Sequence, residues 1–122
     1  MTSFDNSKPI YLQIAEHIKT VLSSGELAPG SRIPPVRELA AEFGVTPNTV
    51  QKALHELEHG GYVYTERTSG RFVTKDHALL EQLRAKNKEM VIKKFISDMA
   101  AVGVDKEELP ALIKKYNSAS HL

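Results

Sequence analysis

Residues 36–57 constrain the fold of this chain more than any other stretch, because they predict two short amphipathic helices joined by a tight turn. The apolar positions of the two helices recur at helical spacing, and they are Val36, Leu39, Ala40 and Phe43, then Val50, Ala53, Leu54 and Leu57. Gly44 can adopt the left-handed conformation that ends a helix. Thr46 followed by Pro47 supplies a hydroxyl cap and then a proline at the first helical position. The stretch therefore predicts a helix-turn-helix, a unit whose second helix, the recognition helix, lies in the DNA major groove.

The composition narrows the class of protein. The chain has 122 residues, of which 41% are hydrophobic, and this fraction suffices for a globular core. The absence of cysteine excludes a disulfide framework, a thiolate metal site and a thiol nucleophile. The N-terminus has no apolar run typical of a signal peptide, and no stretch approaches the ~18 apolar residues of a membrane span. We therefore expect a soluble cytoplasmic protein without membrane association.

Two short runs of β-forming residues follow the recognition helix. Residues 62–65 and 71–74 are separated by a polar, glycine-containing loop, which predicts a β-hairpin. A hairpin directly after a helix-turn-helix is the wing of a winged helix domain. With a further helix predicted over residues 9–24, we expect an α+β, mainly α fold. Its N-terminal winged helix-turn-helix domain spans residues 1–76, and a short two-helix region spans residues 77–122.

The C-terminal region predicts a helix of about 25 residues and then a shorter one. Asp105 and Glu108 form a capping box for the last helix, and Pro110 predicts that this helix begins late or is kinked. The apolar residues of the long helix are expected roughly on one side. Because two helices cannot cover this surface, we expect a two-fold homodimer. The candidate dimerisation residues are Leu83, Met90, Val91, Phe95, Ile96, Met99, Leu112, Ile113 and Tyr116.

An alternative use of this apolar surface is a small-molecule pocket, since methionine adapts to ligands. Two helices are too few to enclose a ligand cavity of ~300 Å³ within one protomer. A small-molecule effector of unknown identity would therefore need the dimer interface or the gap between domains. No cofactor is expected.

A series of motifs resembles, in the same order, the N-terminal domain of GntR-family bacterial transcription regulators. They are PIYLQI at residues 9–14, GELAPG at 25–30, IPPVRELA at 33–40, GVTPNTV at 44–50 and GRFV at 70–73. The short C-terminal region is similar to that of the YtrA subfamily. The resemblance implies a winged helix homodimer that binds a two-fold symmetric double-stranded operator DNA and represses. For the YtrA group it suggests a transport-related operon, often including the regulator's own gene.

The resemblance also implies which residues contact DNA. They come from the Pro-x-x-Arg-Glu-Leu segment, the start of the recognition helix and the wing, and they are Arg37, Thr46, Asn48, Thr49, Gln51, Lys52, Arg67, Thr68, Ser69, Gly70 and Arg71. The chain departs from the family pattern at four positions. Pro35 replaces a usual Ser cap, and Pro47 replaces a DNA-contacting Arg. In the wing, Thr68 replaces Gly and Arg71 replaces Thr.

The chemistry of these side chains suits base reading, although other uses remain open. Asn and Gln can each make two hydrogen bonds to adenine, and Lys can reach guanine. The alternative is an ordinary solvated helix surface, with Lys52 paired to Glu56 and Arg37 paired to Glu42. His55 and His59 have a spacing that allows a shared metal, but without a third ligand we expect a solvated pair and no metal site.

Charge does not by itself favour a nucleic-acid partner. Net charge is +1, and residues 1–76 carry 8 Lys or Arg against 9 Asp or Glu. This neutral balance supports the competing interpretation, a winged helix that serves as a protein-interaction module without DNA binding. No nucleophile lies beside a base in a catalytic motif, so we do not expect an enzyme.

Overall fold

A computed structural model describes residues 4–119 of the chain, so residues 1–3 and 120–122, at the ends of the two predicted domains, lie outside the described part. Within that part the fold is mainly helical with one two-stranded sheet, which confirms the predicted fold class. The elements in order are α1 (Ile10–Ser24), α2 (Val36–Phe43), α3 (Pro47–His59), β1 (Val63–Glu66), β2 (Gly70–Val73), α4 (His77–Ala101), a 3₁₀ turn (Lys106–Glu108) and α5 (Leu109–Ala119).

The core of the winged domain forms between α1, α2, α3 and the sheet. Each helix contributes one apolar side, and β1 and β2 contribute Val63 and Val73. The side chains buried most completely are Ile14, Val50, Leu54, Leu57 and Val73. Because α3 lies at the centre of this core, its orientation is determined by the elements packed around it.

The helix-turn-helix has the predicted local conformations. Gly44 ends α2 at φ 69° and ψ 36°, in the left-handed region. Thr46 caps α3, since its hydroxyl oxygen accepts a hydrogen bond from the Thr49 N–H at 3.4 Å, and Pro47 is the first helical residue. Pro35 precedes α2 without a side-chain cap, as the sequence predicted.

The wing is held along a third segment that the sequence analysis did not predict. β1 and β2 are antiparallel, with Val63 opposite Val73 and Glu66 opposite Gly70, and each lies one residue from its predicted position. Residues 30–33 run beside β2. The Ile33 N–H donates to the Arg71 carbonyl at 2.8 Å, and the Val73 N–H donates to the Ser31 carbonyl at 2.8 Å. This segment anchors the two-stranded sheet, which would be marginally stable alone.

The chain divides into two compact units, Met1–Ala85 and Lys86–Leu122. The first turns of α4 therefore belong with the winged domain. Leu83 is 5% exposed in its core, and the Arg84 Nε donates to the Ser23 carbonyl at 3.0 Å. This corrects the assignment of Leu83 to the dimer surface, because its apolar surface is already covered within the chain.

The second unit contains the rest of α4, the 3₁₀ turn and α5. The Asp105–Glu108 capping box is present, and α5 begins only at Leu109, as Pro110 predicted. The expectation of one apolar side on α4 is wrong. Met90 and Met99 are nine residues apart in one continuous helix. Nine residues make about two and a half turns, so these side chains point in opposite directions.

Candidate nucleic-acid interface

The solvent side of α3 carries the polar residues that the sequence predicted for DNA contact. Its apolar side is at most 1% exposed and consists of Val50, Ala53, Leu54 and Leu57. Asn48, Gln51 and Lys52 are exposed, and Thr49 is half-buried. The core therefore determines which side of α3 faces a ligand, and that side offers amide, hydroxyl and ammonium groups.

Two exposed cations of the helix-turn-helix, one on α2 and one on α3, are without ionic partners in residues 4–119. Arg37 is exposed in the first turn of α2 and makes no ion pair there, so the alternative pairing with Glu42 is not formed. Lys52 is likewise not paired with Glu56. Both side chains retain their full capacity to donate hydrogen bonds to an anionic ligand.

The start of α3 is ordered by a pair of hydroxyl groups. The side-chain oxygens of Thr46 and Thr49 lie 3.0 Å apart, so one hydroxyl donates to the other. Thr46 is exposed at the positive end of the helix dipole. This arrangement suits a phosphate oxygen, because backbone N–H groups and the dipole both favour negative charge at a helix N-terminus.

Arg71 connects the wing to α3. Its Nε donates to Glu58 Oε1 at 2.9 Å, and one terminal nitrogen donates to Gln51 Oε1 at 3.0 Å. The guanidinium is therefore engaged within the chain rather than extended from the wing tip. Glu58 was not singled out from the sequence, because nothing local relates it to a residue 13 positions away.

The Glu58 carboxyl is held in its charged form by these neighbours. Burial raises its pKa, but hydrogen bonds from Arg71 and Thr65 and the positive charge of Arg71 and His55 lower it. The net pKa lies below the ordinary value of a glutamate. Glu58 is thus ionised at neutral pH and holds Arg71 as an ion pair.

A second arginine, Arg32, lies beside the wing and was missed in the sequence analysis. A Cβ added to Gly70, whose φ is 111°, would lie 3.1 Å from the Arg32 Nε. Arg32, Arg67, Gly70 and Arg71 line one cleft of about 310 Å³ between the wing and the segment before α2. In the sequence, Arg32 is marked only by its position two residues before the Pro34–Pro35 pair.

Three of the remaining predicted DNA contacts lie in the exposed turn of the wing. Arg67, Thr68 and Ser69 form the turn of the wing, where the Ser69 N–H donates to the Glu66 carbonyl at 3.2 Å. Arg67 makes no ion pair within residues 4–119. The structure therefore joins Gln51 to Arg71 and Thr46 to Thr49, and it leaves the other candidates as separate donors.

The candidate dimerisation residues other than Leu83 retain apolar surface. Met90, Val91, Ile113 and Tyr116 are more than half exposed, and Phe95, Ile96, Met99 and Leu112 are half-buried. Ile92, which was not predicted, is 49% exposed. An apolar helix surface of this kind is typical of an element that packs against a partner.

Two other kinds of site are absent from residues 4–119. No three His, Asp or Glu side chains lie close enough together to hold a metal ion. No helix in this part of the chain is long and apolar enough to cross a bilayer.

Comparison with known proteins reveals similar sequences along most of the chain. Residues 10–73 match the family described as "Bacterial regulatory proteins, gntR family". The HTH-type transcriptional regulator YhcF of Bacillus subtilis (strain 168) is 40% identical over 93% of this chain and 93% of its own length. The HTH-type transcriptional repressor YtrA of the same organism is 36% identical over 93% of this chain and 88% of its own length.

Solved structures give a matching result. A GntR family transcriptional regulator from Listeria monocytogenes superposes with a TM-score of 0.74 at 40% identity, covering 92% of this chain and 98% of that one. The DNA-binding domain of AraR in complex with operator ORX1 superposes with a TM-score of 0.57 at 30% identity. That match covers 61% of this chain and 95% of the AraR domain.

Proposed function

Because this chain belongs to the gntR family of bacterial regulatory proteins, as its motifs predicted, we propose that it represses transcription by binding double-stranded operator DNA as a homodimer. The chain is a transcription regulator and not an enzyme. DNA binding is assigned to the winged domain, residues 1–76, and dimerisation to residues 77–122, with the first turns of α4 completing the winged core. The protein acts in the cytoplasm, where bacterial DNA lies.

The observation that carries the proposal is the exposed polar surface of α3. Its apolar side is buried, while Asn48, Gln51 and Lys52 face solvent, and Arg37 is exposed on α2. Amide side chains read base edges in the major groove, and cations bind phosphate or guanine. The similarity to the AraR domain bound to an operator supports this orientation of the helix.

The homodimer is supported by the apolar surface of the second unit. Met90, Val91 and Ile92 project from adjacent positions of α4, so they face three different directions around the helix. All three side chains remain exposed in the described part of the chain. A two-fold partner would bury this surface and set two recognition helices about 34 Å apart, matching half-sites one turn of DNA apart.

The first test is binding of the whole chain to DNA from upstream of its own gene, compared with unrelated DNA of equal length. We expect selective binding that weakens by on the order of 10³-fold between about 50 and 200 mM salt, as for a protein with several phosphate contacts. Weak binding to both DNAs with little salt dependence would instead favour the protein-interaction module.

Arg37→Ala should weaken binding to the selected DNA by more than about 1 kcal/mol with the fold intact. The expected loss arises because an exposed, unpaired guanidinium of the helix-turn-helix is removed. Lys114→Ala, which removes an exposed positive charge from α5, is the matched control and should leave affinity unchanged. Equal affinities of both variants, measured by fluorescence anisotropy, would remove Arg37 from the contact surface.

A further inference from the structure

Gln51 differs from the other exposed polar residues of α3 because one end of its amide is already occupied. A terminal nitrogen of Arg71 lies 3.0 Å from the Gln51 side chain. A guanidinium has donors and no acceptor, so the Gln51 atom that it faces must be the carbonyl oxygen. This bond takes one of the two lone pairs of that oxygen, whereas both N–H donors of the Gln51 amide remain for a ligand.

The contact is held by a second interaction on the same guanidinium. The Arg71 Nε donates to Glu58 at 2.9 Å, and the Arg71 side chain is only 20% exposed. Glu58 lies on α3 itself, so Arg71 is fixed to the same helix that carries Gln51. Because Glu58 largely neutralises the charge of Arg71, the guanidinium attracts DNA phosphates only weakly. The arrangement instead orients Gln51 before any DNA arrives.

Resting on the proposed function, we propose that Arg71 is a specificity-determining positioning residue that directs Gln51 toward hydrogen-bond acceptors on the base. A free glutamine binds adenine with two bonds, donating to N7 and accepting from the N6 amino group. With one lone pair of its oxygen held by Arg71, an amino group could reach the other lone pair only beside the positive guanidinium, which repels it, so Gln51 acts mainly as a donor. Guanine, which presents N7 and O6 as two acceptors, becomes the preferred base, and the N6 amino group of adenine and the N4 amino group of cytosine are disfavoured.

An orienting role of Arg71 and a merely structural role predict different effects on DNA binding when Arg71 is replaced. If Arg71 only held the wing against α3, its loss would weaken binding to all DNA sequences alike. As an orienting residue, Arg71 affects the base preference at the one position per half-site that Gln51 reads. Base preference, rather than affinity alone, is therefore the quantity to measure.

The test is selection of bound sequences from a randomised operator library by the full-length protein. Wild type should select guanine at one position per half-site. Arg71→Met, which keeps the aliphatic stem and removes the guanidinium, should shift the guanine-to-adenine ratio there by on the order of tenfold toward adenine. Arg71→Lys should shift this ratio similarly, because a lysine ammonium paired with Glu58 lacks the second nitrogen that a guanidinium offers to Gln51. This variant also preserves the ion pair with Glu58 that folding needs.

Two controls isolate the effect. Gln51→Ala should remove the guanine preference at the same position. The double variant with Arg71→Met should then have the same base preferences as Gln51→Ala at every position. Arg67→Met removes a wing cation without a bond to α3, so it should weaken binding to every sequence and leave base preference unchanged. Identical base preferences for wild type, Arg71→Met and Arg71→Lys, each bound selectively, would overturn the assignment of Arg71. Failure of the wild type to enrich any sequence would overturn the proposed DNA binding and this inference with it.

Discussion

At the scale of single residues, the ion pair of Arg71 and Glu58 links the wing to α3. Its two side chains are 20% and 28% exposed, so water screens them less than it screens a surface pair. Replacing one partner would leave the other partly buried and without its counter-charge, which costs more than the loss of an exposed ion pair. The stability of the wing should therefore depend on the ionisation of Glu58.

Glu58→Gln should destabilise the protein at neutral pH and have less effect in acid. The pKa of Glu58 is lowered in the fold from 4.5, so folding favours its ionised form. This stabilisation is present above about pH 4.5 and is lost as the pH falls through the lower pKa of the folded state. Urea denaturation of wild type and variant, from neutral pH to about pH 3, should show the difference in unfolding free energy shrinking.

Glu42→Gln provides the matched comparison for this titration. Glu42 is an exposed carboxylate on α2 without an ion-pair partner among residues 4–119. Its replacement should change the unfolding free energy little at any pH. A difference between wild type and Glu58→Gln that stays constant across the pH range would show that the charge of Glu58 does not stabilise the wing.

At the scale of elements, the turn between α2 and α3 decides how the recognition helix is presented. Gly44 ends α2 in the left-handed conformation, and the Val45 N–H then donates to the Ala40 carbonyl at 3.0 Å. Apart from Gly44 and its two chain neighbours, no heavy atom of the described residues lies within 4 Å of the position that a Cβ on Gly44 would occupy. Backbone strain, and not crowding, is therefore what a side chain at this position would cost.

Gly44→Ala should destabilise the winged domain by about 1–2 kcal/mol, the cost of a left-handed conformation for an ordinary L-residue. Gly44→Asn should cost less, because asparagine adopts this conformation more readily. Denaturant titration followed by circular dichroism measures both. An alanine variant as stable as wild type would mean that the turn tolerates a different backbone conformation.

At the scale of the whole molecule, α4 and α5 carry apolar side chains that remain exposed in a single chain. Val91 is 69% exposed and Tyr116 is 64% exposed. Apolar side chains on several sides of α4 favour a helix covered from more than one direction. Because Val91 has little contact within its own chain, its replacement tests association without disturbing the fold.

Val91→Glu should raise the dissociation constant of the proposed homodimer by at least about tenfold, since a charge would be buried without a partner at the proposed interface. Operator binding should weaken with it, because the two DNA-binding heads would no longer be linked. Sedimentation equilibrium measures the first effect. Leu12→Glu, at an exposed apolar position of α1, is the control, and a Val91→Glu protein as dimeric as this control would place the interface elsewhere.

The amino-acid sequence by itself determined the features that depend on residues close together in the chain. These are the left-handed Gly44, the cap of α3 by Thr46, the capping box at Asp105 and the late start of α5 at Leu109. Each results from a local conformational preference or from a hydrogen bond within three or four residues. The winged helix fold followed from these signals and from the periodicity of the apolar residues.

Only the tertiary structure decided which distant side chains meet. Arg71 was predicted as a wing-tip contact, but Glu58 and Gln51 become its partners only when the wing packs against α3. Arg32 reaches Gly70 only because residues 30–33 run along the wing. Leu83 belongs to the winged core, although its periodicity resembles that of the exposed residues later in α4. Periodicity indicates that a residue will be buried, whereas packing across the fold decides which other residues cover it.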